Sequence, residues 1–308
     1  MWRISLESVT KSVVPQFLRL TKCHIVQLVW RAIVIILWRA KISSKKISYL
    51  CGTNPNEMLE YLIVCPLVFL GGFVDAVAGG GGLISLPAYM LAGLSPIEAI
   101  GTNKFSACCG TAVATWRYSR CGFIHWRHLI AAVVMALIGS WLGARLALLV
   151  EGNIFKIIML VIVPVVAAFV LNKRTLMKYR LPFPPMKTDV IVSAIALFIG
   201  CYDGFYGPGT GTFLMLLLVG VARVSLQEAV GTTKVINLAT NFASLTVFLA
   251  HGVVLFPLAI VAALFGIAGN FLGANHFSKR GVGFVKPLTV VVLAIFFVKL
   301  CYEVFLQK

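Results

Sequence analysis

The sequence predicts an all-α polytopic membrane protein built from two homologous repeats, and three observations carry that prediction. The first is composition: 60% of the 308 residues are hydrophobic and 12% are charged, with a mean hydropathy of +0.96. In soluble domains about a quarter of the residues are charged. The second is a series of apolar runs, most of them suited to crossing a bilayer, and the third is an internal duplication.

Positive charge is unevenly distributed along the chain. The 27 Lys and Arg against 10 Asp and Glu give a net charge of +17, and they concentrate in residues 1–50 and in short loops between apolar runs. Cytoplasmic loops of membrane proteins have this distribution because they face anionic lipid. A nucleic-acid-binding protein would instead present its basic residues on one folded face. We therefore expect the lipid bilayer as a partner and no nucleic acid.

Residues 1–56 form a basic N-terminal extension that differs from the rest of the chain. Its best apolar run, residues 25–38, is interrupted by Arg31 and is short for a span of about 20 residues. We expect an amphipathic segment on the membrane surface. A misassigned start is the alternative, since Met58 opens the first good span.

The apolar runs follow from residue 58 onward. They fall at 58–78, 83–93, 97–116, 128–149, 154–171, 189–206, 211–221, 227–249, 255–276 and 284–305. The runs 83–93 and 211–221 have about half the length of a full span, and each follows a glycine-rich stretch. Consecutive glycines destabilise a helix and free its backbone groups, so the sequence predicts a broken helix at each of these points.

An internal duplication relates the two halves of the chain. Ser95–Lys104 recurs as Ser225–Lys234 at an offset of 130 residues, with six of ten residues identical (Ser, Glu, Ala, Gly, Thr and Lys). Upstream, at an offset of 128, Gly72, Asp75, Gly79 and Gly81 match Gly200, Asp203, Gly207 and Gly209. We interpret 57–172 as transmembrane repeat 1, 173–187 as a basic cytoplasmic linker and 188–308 as transmembrane repeat 2. Each repeat is expected to contain about four long transmembrane helices and one half-length broken helix.

The relative orientation of the repeats depends on how the short segments are counted. If each is one pass, each half has five passes and the repeats are inverted. The basic loops at 117–127, 173–187 and 279–286 then lie on one side of the membrane. If the short segments re-enter and return, each half has four crossings and the repeats are parallel. The positive-inside rule favours inversion.

The two glycine-rich breaks are the first candidate binding elements. Backbone N–H groups at the start of a helix bind oxyanions without dedicated side chains. The predicted ligands are Gly79, Gly80, Gly81, Gly82, Gly207, Gly209 and Gly211. Asp75 and Asp203 each precede a break by four residues, and a carboxylate at helix-centre depth costs about 2.5–3.5 kcal/mol. Each is either a proton acceptor or a structural brace for the broken helix.

Polar stripes on the helices that follow complete the candidate site. Their predicted binding residues are Thr102, Asn103, Lys104, Thr232, Lys234, Asn237 and Asn241. One interpretation is that the two lysines add positive charge to an anion pathway. The other is interhelical hydrogen bonding with lysines that snorkel toward the membrane surface. Glu98 and Glu228 lie near helix starts, where an acid suits the helix dipole, so we expect them to cap helices.

The sequence gives no indication of an enzyme. It contains no H-E-x-x-H spacing, no G-x-S-x-G turn and no nucleotide-binding motif, so we expect no catalytic residue, metal site or cofactor. The eight cysteines have no C-x-x-C spacing and are interpreted as small apolar residues.

Three segments together resemble one family of membrane proteins. They are Gly72–Pro87 (GFVDAVAGGGGLISLP), Gly101–Lys104 (GTNK) and Tyr202–Gly211 (YDGFYGPGTG). The resemblance, which spans about residues 58–305, is to the TauE/SafE sulfite exporter family, also called the toluene-sulfonate uptake permeases, and within it to the YfcA-type bacterial branch. It implies a multi-pass permease of the bacterial inner membrane, with sulfite, sulfonates and related organosulfur anions among the family's substrates.

The leading hypothesis is a secondary transporter that moves a small anion by alternating access between the two repeats. An anion channel of the same architecture is the first alternative, and a non-transporting membrane protein is the second. The sequence specifies neither an oligomeric state nor one substrate.

Overall fold

The computed structural model describes residues 55–124, 129–171 and 182–280, and within these ranges its regular elements are nine α-helices without a strand. The helices are α1 (Pro55–Ala78), α2 (Gly82–Leu91), α3 (Pro96–Arg120), α4 (Ile130–Leu149), α5 (Gly152–Leu171), α6 (Pro185–Phe205), α7 (Thr210–Gly220), α8 (Leu226–Ala250) and α9 (Phe256–Arg280). The all-α prediction is confirmed for this part of the chain. The N-terminal extension up to residue 54, linker residues 173–181 and the last apolar run lie outside the described residues.

Four helices are long and apolar enough to cross a membrane by length and composition. These spans are Glu60–Ala78, Ile130–Leu149, Pro185–Phe205 and Phe256–His276, in α1, α4, α6 and α9. Large apolar side chains are exposed on several of them, including Ile130, Phe198 and Leu264. An exposed apolar surface of this kind is stable against lipid and not against water, which agrees with the composition.

Two further long helices, α3 and α8, form a buried central pair. They run antiparallel: Gly101 lies against Phe248 and Val253, whereas nearer the end of α3 the Thr115 hydroxyl donates to the Lys234 carbonyl oxygen. Both carry buried polar residues along their length. Such helices are stable within a membrane protein because the neighbouring helices, and not lipid, surround them.

Serine caps start both central helices. The Ser95 hydroxyl accepts a hydrogen bond from the Glu98 backbone N–H, and the Glu98 carboxylate accepts one from the Ser95 N–H, which forms a capping box. In α8 the Ser225 hydroxyl accepts from the Glu228 N–H. The capping prediction is confirmed for Glu98, whereas Glu228 lies in the first turn and the serine provides the cap.

Glycine contacts join the outer helices in two matching pairs, α4 with α6 and α9 with α1. A Cβ at Gly143 would lie 2.0 Å from the Cys201 carbonyl oxygen, and one at Gly269 would lie 2.0 Å from the Phe69 carbonyl oxygen. In membranes, small residues of this kind let helix backbones approach closely enough for van der Waals packing.

The short helices fold back along the helices before them. Gly71 of α1 lies against Gly81 and Ser85, and Tyr202 of α6 has its ring 5.5 Å from that of Phe213 in α7. The prediction of two half-length helices after glycine breaks is therefore confirmed, with α2 of 10 residues and α7 of 11. Each forms a helical hairpin whose tip is the glycine-rich segment.

Candidate functional site

The tips of the two helical hairpins are in direct backbone contact. The Gly79 carbonyl oxygen accepts a hydrogen bond of 3.0 Å from the Thr212 N–H. A Cβ at Gly79 would lie 2.4 Å from the carbonyl carbon of Gly211, and Gly79 itself has a φ of +72°. Glycine is required here both by the left-handed backbone and by the close approach. The two breaks thus form one structure where the halves of the chain meet.

A small cavity lies beside this contact, with a volume of about 50 Å³. A cavity needs about 10–15 Å³ of such volume to hold one water molecule, so this one suits a few atoms and not a large organic ligand. Twelve of the predicted site residues line it: Asp75, Gly79, Gly81, Gly82, Asn103, Lys104, Asp203, Gly207, Gly209, Gly211, Asn237 and Asn241. The structure therefore brings the two glycine breaks and both polar stripes to one place.

Two buried ion pairs connect the halves across this region. Lys104 Nζ lies 2.7 Å from Asp203 Oδ2, and Lys234 Nζ lies 2.8 Å from Asp75 Oδ2. Each lysine, on a central helix, therefore pairs with the carboxylate at the broken helix of the other half. Buried charges are tolerated when they are paired, so the four side chains together leave the region electrically neutral.

The two ion pairs differ in burial and in their additional contacts. In the first, both side chains are 3% exposed, and Lys104 also donates to Asn241 Oδ1 at 3.1 Å. In the second, Asp75 is 14% exposed, and Lys234 also donates to the Asp75 backbone carbonyl oxygen. Lys104 lines the cavity together with Asp203. Lys234 is buried behind the wall and ties down the end of α1.

Four predicted site residues lie outside the cavity wall: Gly80, Thr102, Thr232 and Lys234. The Thr102 hydroxyl accepts from the Leu255 N–H at 3.2 Å, which holds the loop before α9. Thr232 is buried in α8. A role in substrate binding stays a prediction for fourteen residues, and the proton-accepting or structural role stays one for Asp75 and Asp203, whether or not they line the cavity.

The cavity wall also has five polar residues that are not among the predicted site residues: Ser85, Ser106, Thr111, Thr210 and Asn270. Asn270 is 3% exposed within the apolar span of α9, and its Nδ2 donates to the Gly266 carbonyl oxygen at 3.0 Å. A polar residue inside a membrane span is itself a signal of a functional or packing role. That signal could have identified Asn270, which lies outside the glycine breaks.

The cavity wall carries several groups that can bind a ligand. The first turns of α2 and α7 reach the wall at Gly82 and Thr210, so two positive helix ends, one lysine and several amides surround the space. Among the described residues no group of three or more His, Cys, Asp or Glu side chains could hold a metal ion. This set of donors suits a small anion.

Comparisons with known proteins give a consistent result. The family model described as Sulfite exporter TauE/SafE matches residues 64–300. A probable membrane transporter protein, ORF9, from Sinorhizobium sp is 33% identical over 236 residues, covering 77% of this chain and 89% of the relative. The probable membrane transporter protein YfcA of Escherichia coli K12 is 31% identical over 264 residues, covering 81% and 94%. A probable membrane transporter protein of Haemophilus influenzae is 32% identical, covering 76% and 92%. No solved structure matches the chain.

Proposed function

The chain belongs to the sulfite exporter TauE/SafE family, and from that premise we propose that it is a secondary transporter of small anions, with sulfite and sulfonates as the substrate class. The observation that carries the proposal is the cavity in which two glycine breaks and the Lys104–Asp203 pair meet. Its donors are of the type that holds oxyanions. These relatives are named as probable membrane transporters, which supports transport and not catalysis.

The substrate binds, in this proposal, between the first turns of α2 and α7. A helix N-terminus stabilises an anion by about 0.3–1 kcal/mol at an exposed site and by up to about 2 kcal/mol in a partly buried one. Two such ends, with the amides of Asn103, Asn237 and Asn241 nearby, form a ring of donors around a small oxyanion. Lys104 supplies the full positive charge. The cavity volume of about 50 Å³ favours a compact head group such as sulfite or sulfonate.

The transport cycle is proposed to use two inverted repeats of five passes each. Three features support inversion: α3 and α8, which carry the duplicated segment, run antiparallel; each short helix runs back along its predecessor; and the two ion pairs connect equivalent residues of opposite halves. Inverted repeats exchange conformations to open a midplane site to either side in turn. The basic loops then face the cytoplasm, across the inner membrane of a bacterium.

Cysteine accessibility distinguishes inverted from parallel repeats. Cys121 is exposed at the end of α3, and His251 occupies the equivalent exposed position at the end of α8, 130 residues later. In backgrounds with a single cysteine, Cys121 and His251→Cys are expected to react with an impermeant maleimide from opposite sides of the membrane. Labelling of both from one side would show that the repeats are parallel.

Substrate class is tested by binding and then by flux. Purified protein in detergent is heated with sulfite, thiosulfate, methanesulfonate, acetate or chloride at equal ionic strength. A ligand that prefers the folded state must stabilise it, so we expect the sulfur oxyanions to raise the unfolding temperature and acetate and chloride to leave it unchanged. Proteoliposomes should then show saturable uptake of the stabilising anion. Flux that never saturates would indicate a channel, and an absence of both binding and flux would contradict the proposed function.

A further inference from the structure

We propose that Asp203 takes up a proton when the anion binds, so that the protein carries one proton with each anion. This inference rests on the proposed function, because it concerns the same cavity and adds its coupling ion. It is based on the charge balance of the cavity and on the difference between the two ion pairs.

The charge balance leaves no free cation for a substrate. The described charged residues of the cavity wall are Asp75, Lys104 and Asp203, and Lys234 adjoins them through Asp75. These two lysines and two carboxylates sum to zero. An incoming anion would make a buried region negative while Lys104 is still held by Asp203 at 2.7 Å. Protonation of Asp203 removes this conflict: it releases Lys104 Nζ to the anion and restores neutrality.

The contacts of the two carboxylates point to Asp203 rather than Asp75. Asp203 and Lys104 both line the cavity, and a Cβ at Gly207 would lie 3.2 Å from both Asp203 Oδ1 and Lys104 Nζ. The pair therefore lies directly against the glycine break. Asp75 also lines the cavity, but Lys234, which is not a wall residue, is bound to both its carboxylate and its backbone carbonyl, so that lysine charge is fixed there.

The other groups around Asp203 are neutral in the described part of the chain. On α4, the Ser140 carbonyl oxygen contacts Gly204 next to the carboxylate, and on α8, Asn241 holds Lys104. On α6 itself, the neighbouring Tyr202 donates its hydroxyl to the Pro208 carbonyl oxygen. Residues 210–220 of α7 contain no titratable side chain. Lys104 is thus the charge that responds to the protonation state of Asp203.

The proton balance of one transport step is simple. A proton from the side where the anion enters binds an oxygen of the Asp203 carboxylate, and Lys104 turns from the neutral acid to the anion. On the other side the anion leaves, the proton returns to water, and the ion pair forms again. Binding is then linked to pH: over the range in which one full proton is taken up with the anion, the anion affinity falls about tenfold for each unit of rising pH.

Calorimetry tests the coupling directly. Methanesulfonate is titrated into the full-length protein in detergent, in buffers of different ionisation enthalpy, because it is a monoanion that binds no proton of its own near neutral pH. The wild type is expected to take up one proton per bound anion. Asp203→Asn is expected to bind with no proton uptake and without the dependence on pH. Lys234→Met with Asp75→Asn, which changes the equivalent pair without changing the net charge, keeps both.

The outcomes separate the coupling from transport itself. Anion binding to the wild type without proton uptake would overturn the inference and leave the proposed function standing. Failure of the wild type to bind or move any probe, sulfite included, would overturn both. If Asp203→Asn does not fold, the wild-type proton count still decides the coupling. A loss of proton uptake in the folded, charge-neutral Lys234→Met/Asp75→Asn variant would then reassign it to Asp75.

Discussion

The Lys104–Asp203 and Lys234–Asp75 pairs occupy equivalent positions in the two halves, but they have different surroundings. The first lies in the cavity wall, with Asn241 as a neutral third partner. In the second, Asp75 also lines the cavity, but Lys234 lies behind the wall and holds the backbone at the end of α1. The two pairs are therefore expected to differ in role: Lys104–Asp203 binds and Lys234–Asp75 braces.

The neutral polar residues around the two ion pairs also differ between the two halves of the chain. At the offset of 130, Ala107 corresponds to Asn237 and Thr111 to Asn241, so on the central helices the amides lie mostly on α8. Ser140 likewise corresponds to Asn270 of α9. An anion bound among these amides would contact the second half of the chain more than the first.

Removal of the bracing lysine has the largest expected effect. Lys234→Ala leaves the Asp75 carboxylate without its buried partner, and breaking a buried pair costs about 3–5 kcal/mol. We expect a much lower unfolding temperature in detergent. Lys234→Met with Asp75→Asn leaves no unpaired charge and should regain much of the loss. Wild-type stability in Lys234→Ala would contradict the bracing role.

Substitutions at the equivalent glycines Gly79 and Gly207 are expected to have the next largest effect. A side chain at Gly79 would collide with the Gly211 backbone, whereas one at Gly207 would meet Asp203 and Lys104 at 3.2 Å. Both glycines have a left-handed backbone, with φ of +72° at Gly79 and +94° at Gly207, so either alanine is strained. At Gly79 the collision adds overpacking, and Gly79→Ala is expected to cost at least about 2 kcal/mol. Gly207→Ala should lose less stability and more anion affinity. Thermal unfolding and calorimetry of both variants measure this, and identical profiles would contradict the division of roles.

The contribution of Lys104 to anion affinity is tested in variants that leave no carboxylate unpaired. Lys104→Met with Asp203→Asn is compared with Asp203→Asn alone, so that only the lysine charge changes. A hydrogen bond to a charged group contributes about 1.5–3 kcal/mol, so Kd should rise about 10- to 100-fold. The matched double change at Lys234 and Asp75 should raise Kd by less. Equal increases in the two halves would show that the binding role is shared.

The sequence predicts the helical architecture well and the pairing of charges poorly. The half-length runs 83–93 and 211–221 differ from Gly82–Leu91 and Thr210–Gly220 by one or two residues, because glycine and length mark the breaks locally. The partner of Lys104 is 99 residues away, and no spacing within a segment encodes that contact. Asn270 was missed because it lies outside the duplicated motifs.

The smallest expected effect concerns the amide that distinguishes the two halves. Asn241 Oδ1 accepts from Lys104 Nζ at 3.1 Å, and its Nδ2 donates to Thr111 Oγ1 at 3.5 Å. Asn241→Ala removes one hydrogen bond that orients the lysine, worth about 1 kcal/mol, so Kd should rise about fivefold. Thr111→Ala, at the equivalent position of the first half, loses only the longer contact.

Calorimetry of Asn241→Ala and Thr111→Ala decides whether the asymmetry of the wall has an energetic consequence. A threonine effect as large as the asparagine effect would mean that both halves hold the anion equally. If instead Asn241→Ala alone weakens binding while the unfolding temperature is unchanged, its contribution is to orient Lys104 rather than to stabilise the fold. Lys104 of the first half would then depend on Asn241 of the second half for its orientation, just as it pairs with Asp203 of that half.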